Sequence, residues 1–93
     1  EIDLAIKNSK IALDLAKKEK DTLLILSNSL NLGFQYLDQG DLTKGLSAFN
    51  YSKHLNSTYN DDTTKREILQ GLSIYHKKNK IISWNISRLI RFY

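Results

Sequence analysis

Asn31-Leu32-Gly33-Phe34-Gln35-Tyr36-Leu37-Asp38-Gln39-Gly40-Asp41 decides the fold, because its glycines and its tyrosine are spaced for two helices packed as a hairpin. Gly33 stands inside an apolar helical pattern, where glycine costs about 1 kcal/mol against alanine. A second helix is therefore expected to lie there, too close for a side chain. Tyr36, three residues on, shares that face and is expected to fill the space beside the contact. Gly40 ends the helix, and Asp41 is placed to cap the next one.

Working outward, the helix containing Gly33 begins after a cap at Asp21 or Thr22 and runs to about Asp38. Its buried stripe joins Leu23, Leu26, Leu30, Gly33 and Leu37 with Ile25, Leu32 and Tyr36, an arc wide enough to need cover on two sides. Before it, Asp3 to Lys20 repeats Leu4, Ile11, Leu15 and Ala5, Ala12, Ala16 at helical spacing, which predicts an amphipathic helix over 3–19. After the turn, Leu42, Leu46, Phe49 and Ser52 mark the inner face of a helix predicted to end near Leu55, with Gly45 and Ser52 as small contact positions. Asn56 to Asp62 is polar and reads as the longest connection. Thr64 and Glu67 have the spacing of a capping box. Ile68, Leu69, Leu72 and Tyr75 then surround a second mid-helix glycine, Gly71. Lys78-Asn79-Lys80 is expected to turn the chain, since asparagine tolerates the left-handed conformation. Ile82, Ile86, Leu89, Ile90 and Tyr93 would form a last amphipathic helix, with Ser83 and Ser87 as small contacts.

Ninety-three residues allow one small domain, about 40% of whose surface stays unburied. There is no cysteine, which removes disulfides, thiolate metal sites and thiol nucleophiles. No apolar run is long enough to span a bilayer, and residues 1–20 are too charged for a signal peptide, so a soluble, cytoplasmic chain with no membrane contact is expected. With no initiator methionine and a helical pattern from the start, the chain reads as a piece of a longer protein. Seven lysines match seven acids over residues 1–60, and no acid follows Glu67. The net charge of +4 thus sits at the C-terminal end, on Lys77, Lys78, Lys80, Arg88 and Arg91. Such a run is usually a solvated face, and can otherwise meet an acidic partner.

Ala5 answers Gly45 at a spacing of forty, and Gly33 answers Gly71 at thirty-eight, the period of a solenoid. The central unit resembles the tetratricopeptide repeat: Leu32, Gly33, Tyr36, Gly40, Asp41 and Phe49 stand at family positions, and Gly45 and Ser52 stand where the family usually has alanine. Ser29 replaces its common tryptophan and Ser57 its helix-ending proline. Residues 3–19 look like the second helix of a repeat, 22–55 like a full repeat and 63–93 like a divergent one. In the last, Gln70 stands where leucine is expected, and Ile74 where tyrosine is expected, or Tyr75 if the register slips by one. The resemblance implies an all-α fold, an α-α superhelix of helical hairpins. The long repeats also resemble those of cytoplasmic peptide-pheromone receptors of Gram-positive bacteria and of phage arbitrium receptors, quorum-sensing regulators of transcription.

No motif supplies catalytic chemistry: Gly-x-Ser-x-Gly and phosphate-cradling loops are absent, and His54 and His76 have no partner at ligand spacing. An enzyme is not expected, nor a cofactor or metal. The resemblance instead implies a concave groove that takes a peptide or a protein segment. Carried over position by position, that groove is lined by Ser27, Leu30, Asn31, Phe34, Leu37 and Asp38, then by Lys65, Ile68, Leu69, Leu72, Tyr75 and His76. The site residues singled out are Asn31, Phe34, Asp38, Lys65, Leu72, Tyr75 and His76. Asn31 offers a donor and an acceptor that can grip a peptide backbone, or can solvate the groove and bond within the hairpin. Phe34 and Leu72 would form apolar subsites, and Lys65 and His76 would receive a carboxylate. Trp84 is expected to pack or to contact a following repeat. The chain is thus expected to be a peptide- or protein-binding module of a larger intracellular regulator. The alternative is a scaffold segment that pairs two copies without a peptide ligand. Direct nucleic-acid binding is not expected, because the basic end lacks interleaved aromatics and a recognition helix.

Overall fold

The computed structural model describes the backbone of residues 1–92 and the side chains of residues 1–91. It is all-α: helix α1 spans Ile2–Glu19, α2 Thr22–Gln39, α3 Leu42–Tyr59 and α4 Asp62–Phe92, with no strand among the described residues. The first three helices have 18 residues each and are joined by two-residue links, which fold each helix back along the one before it.

The links share one chemistry at a spacing of twenty. Lys20, Gly40 and Asn60 each close a helix in the left-handed conformation, with φ of 55°, 91° and 61°. An aspartate follows each, and its carboxylate accepts from a backbone N–H of the next helix: Leu24 to Asp21 at 3.2 Å, Lys44 to Asp41 at 3.1 Å and Thr64 to Asp61 at 2.8 Å. At the fourth such position stands Lys80-Ile81, and isoleucine has no oxygen to cap a helix. The turn expected at Lys78-Asn79-Lys80 is therefore not made, and α4 runs through it as one helix of 31 residues. At 1.5 Å per residue it is about 46 Å long against about 27 Å for the others. Its C-terminal third overhangs the stack, in keeping with overall extents of 54 × 28 × 15 Å. Tyr93, assigned to the last stripe by sequence, lies outside the described residues.

The expected loop from Asn56 to Asp62 contracts to Asn60 and Asp61, and α3 continues a turn beyond Leu55. Buried Asn56 explains this, since its amide donates to the Asp61 carbonyl at 3.0 Å and accepts from the Asp61 N–H at 2.8 Å. The residue read as loop is the clasp of the turn. The capping box is also replaced: Asp61 caps α4, while buried Thr64 donates its hydroxyl to the Asp61 carboxylate at 2.7 Å.

That hydroxyl, then the Thr64 backbone N–H, holds the Asp61 carboxyl below the ordinary aspartate range, with Arg66 adding a smaller pull the same way. A carboxyl lowered in the folded state contributes stability above its unfolded value and loses it as pH falls through its folded value. Urea melts across the acid range should show stability falling as Asp61 takes up its proton, with a shallower acid slope in Asp61→Asn. An identical slope in both chains would show that this carboxylate is not coupled to folding.

The core centres on Phe49, which is 0% exposed and clusters with Leu30, Leu37 and Ile68. A Cβ on Gly33 would lie 2.7 Å from its ring, and one on Gly71 would overlap it, so the ring is held between the glycines of α2 and α4. Gly45 plays the small part on α3, lying under Leu37 with the Gly33 carbonyl 3.3 Å from where its Cβ would be. Phe49 therefore fills the space beside Gly33 that was assigned to Tyr36. Tyr36 turns to the other side of α2, into a second cluster with Ile6 and Leu32. On α1 the buried residues are Ile6 and Ala16, whereas Leu4, Ile11 and Leu15 are exposed. The outer helix is covered on one face only, so the wider stripe read from its sequence is half bare. Leu23, at the start of α2, is likewise exposed.

Candidate functional site

Ser27, Asn31, Phe34 and Asp38 recur at spacings of four, three and four and so share one side of α2. Asn31 and Asp38 are exposed there. Phe34 is half-buried and meets Phe49 edge-on, with ring centroids 5.1 Å apart at 77°. Leu30 and Leu37, expected on the groove surface, are core residues at 2% and 1% exposure. They sit one helical step toward α3, where the Phe49 cluster takes them up.

Lys65, Leu69, Leu72 and His76 repeat the same spacing on α4. Ile68, also expected in the groove, is buried in the Phe49 cluster. Leu72 and Tyr75 are half-buried and rest on that cluster from outside. His76 is exposed and meets the Tyr75 ring edge-on at 5.1 Å. Lys65 is exposed and lies 3.9 Å from the Asp62 carboxylate, an exposed pair that holds the ammonium only weakly.

These residues do not all converge. Lys65 and Leu72 line a groove of about 340 Å³ between α3 and α4, together with Ile68, Leu69 and, from α3, Lys53, Asn56 and Ser57. Asn31, Phe34 and Asp38 are not among its lining residues and remain a separate strip on α2. Tyr75 and His76 lie farther along α4. Leu69, 67% exposed, supplies the largest bare apolar surface of the groove. Lys53, Asn56 and Ser57 were not singled out from sequence. Lys53 and Ser57 carry no periodic signal that tells which flank of α3 will meet α4, and Asn56 was hidden by its loop-like neighbours.

The groove's lining is mainly apolar, and Lys53 and Lys65 are among the residues that form it. Such a surface accepts apolar side chains from a bound segment and an acidic group at its edge. His54 and His76 are exposed on different helices, and among the described residues no three of His, Cys, Asp and Glu come together.

A second hollow of about 420 Å³ lies between α1 and α3, beside Leu13, Ser29 and Tyr36. Ser29 stands where the resembling repeats carry tryptophan, and its buried hydroxyl has no hydrogen-bond partner. Lys17 lies over the Tyr51 ring at 5.1 Å and Lys44 over Tyr36 at 5.7 Å, which brings two cations to the hollow's rim.

No helix among the described residues is long and apolar enough to cross a membrane. Comparison with protein-family models, curated proteins and solved structures found no match to this chain.

Proposed function

We propose that this chain is a tetratricopeptide-like helical-hairpin module that binds a peptide or protein segment within a larger intracellular regulator, and acts by binding without catalysis. The observation that carries this reading is the groove between α3 and α4, where exposed Leu69 and half-buried Leu72 lie over buried Ile68, with Lys53 and Lys65 among the lining residues. A mainly apolar lining that includes two lysines suits an amphipathic segment bearing acidic residues or a free carboxylate. The Asn31 strip on α2 would hold a longer ligand by its backbone. In a quorum-sensing regulator, such a ligand would bias the relative placement of successive hairpins by binding one arrangement more tightly than another.

Titration calorimetry with a panel of short amphipathic peptides ending in a free carboxylate tests the assignment. For a peptide that binds, Lys65→Glu should weaken affinity about tenfold or more, since a reversed charge repels the acidic end. Asn31→Ala should weaken it by a smaller factor. Affinity unchanged in both variants would show that neither surface is the site.

A further inference from the structure

The hollow between α1 and α3 is a trough left by the way the helices fan. Helix α2 touches α4, whereas no α-carbon of α1 comes within 8 Å of one on α3, so a strip of α2 is left uncovered between them. Its volume of about 420 Å³ falls in the range of about 300–1,000 Å³ for small-molecule sites.

Helix geometry fixes the direction of the trough. The Gln39 amide donates to the Asp3 carboxylate at 2.8 Å and Ile6 packs with Tyr36, so α1 runs antiparallel to α2 and brings Leu13 and Lys17 to the end where Ser29 lies. Tyr36 marks the other end, with Lys10 at 5.9 Å and Lys44 at 5.7 Å from the centroid of its ring. From Ser29 to Tyr36 is two turns of α2, about 10 Å. Between the ends the lining is apolar, formed by Leu13, Leu32 and Ala48.

The two ends differ in chemistry. At the Tyr36 end Lys44 already has the Asp41 carboxylate at 3.9 Å. At the Ser29 end Lys17 crosses from α1 to lie over the Tyr51 ring of α3 at 5.1 Å, and no carboxylate among the described residues lies within 4 Å of its ammonium, that of exposed Asp14 included. Ser29 is 2% exposed, and its hydroxyl has no hydrogen-bond partner. Serine inside a helix commonly bonds the carbonyl one turn back, as buried Ser52 does to Ala48 at 3.1 Å. An unpaired buried hydroxyl and an unneutralised ammonium at one end of a trough call for an acceptor that carries negative charge.

We propose that the trough binds an amphipathic monocarboxylate of the medium-chain fatty-acid type. Its carboxylate accepts from the Lys17 ammonium and the Ser29 hydroxyl, and its apolar tail lies along Leu13, Leu32 and Ala48 toward Tyr36. The length of the tail follows from the two-turn span, and the single charge from the one unpaired lysine at the Ser29 end. No lining residue is shared with the α3–α4 groove, so failure of either site leaves the other in place.

Titration of the chain with sodium decanoate below its micelle concentration, followed by calorimetry and by amide chemical shifts, tests this. Saturable binding is expected, with shifts at Leu13, Ser29, Ala48 and Tyr51. Decanol keeps the tail without the charge and acetate keeps the charge without the tail, and each should bind at least about tenfold more weakly than decanoate. Lys17→Glu and Ser29→Ala should each weaken decanoate about tenfold or more, as expected for losing a hydrogen bond to a charged group, while Lys44→Gln should leave it nearly unchanged. Ser47→Trp places a bulky side chain in the trough from an exposed position and should abolish binding in a chain whose urea melt matches the parent's. Absence of binding at millimolar decanoate, shifts centred on the α3–α4 groove, equal affinity for decanol, or parent affinity in Lys17→Glu or Ser47→Trp overturns the assignment.

Discussion

Phe49→Ala should lower the stability of this chain by about 3–5 kcal/mol, the range for removing a fully buried aromatic ring. At roughly 0.05–0.15 kcal/mol per residue a domain of this size holds about 5–14 kcal/mol in all, so the variant should sit near the edge of folding at room temperature. The size of the effect follows from position. The ring touches Phe34 from α2, closes over Gly33 on one side and Gly71 on the other, and so joins three of the four helices. Chemical denaturation checks it, and the same experiment on Gly33→Ala tells a sandwich from a merely buried ring. In an open helix, glycine to alanine gains about 1 kcal/mol. Here the new methyl meets a ring that cannot retreat without pressing on Gly71, and overpacking of that kind costs about 1–3 kcal/mol. Gly33→Ala should therefore destabilise the parent and be tolerated once Phe49→Leu has shortened the side chain. The two substitutions should couple by about 1 kcal/mol or more. A Gly33→Ala variant more stable than the parent would mean that α2 and α3 are not in close contact.

The helices and the hairpin were legible because they depend on short-range chemistry. Gly33 and Gly71 announced close approach, Gly40-Asp41 announced a link, and the periodic apolar residues of α1, α2 and α3 announced amphipathic helices. What failed was mostly a matter of which group meets which. Tyr36 and Phe49 are both aromatic neighbours of a glycine in a helical pattern, and only the handed packing of α3 on α2 decides that Phe49 takes the gap. Asn56 looked like loop because asparagine, serine and aspartate crowd around it, yet burial turns its amide into a clasp for Asp61. The straight course of α4 was readable in principle. A left-handed residue followed by aspartate recurs at 20–21, 40–41 and 60–61, and its absence at 80–81 is visible in the sequence once that spacing is known. The candidate site was legible only in part. Lys65 and Leu72 come together, but their companions Lys53, Asn56 and Ser57 belong to a helix whose flank toward α4 is set by tertiary packing.

The other large effect expected is on binding to the α3–α4 groove. A short amphipathic peptide that bears acidic residues and ends in a free carboxylate supplies the apolar side chains and the negative charge that the groove should accept. Leu69→Asp puts a charge on the groove's most exposed apolar side chain, which a docking helix would have to desolvate without a partner. Affinity should fall at least about tenfold, equivalent to about 1.4 kcal/mol. Amide chemical shifts of the isotope-labelled chain, recorded during titration with that peptide, give the most direct test. Saturable shifts concentrated at Lys53, Asn56, Lys65, Leu69 and Leu72 are expected, and they should be lost when Leu69→Asp is added. Shifts clustered on other helices, or shifts in the groove that survive Leu69→Asp, would contradict binding between α3 and α4.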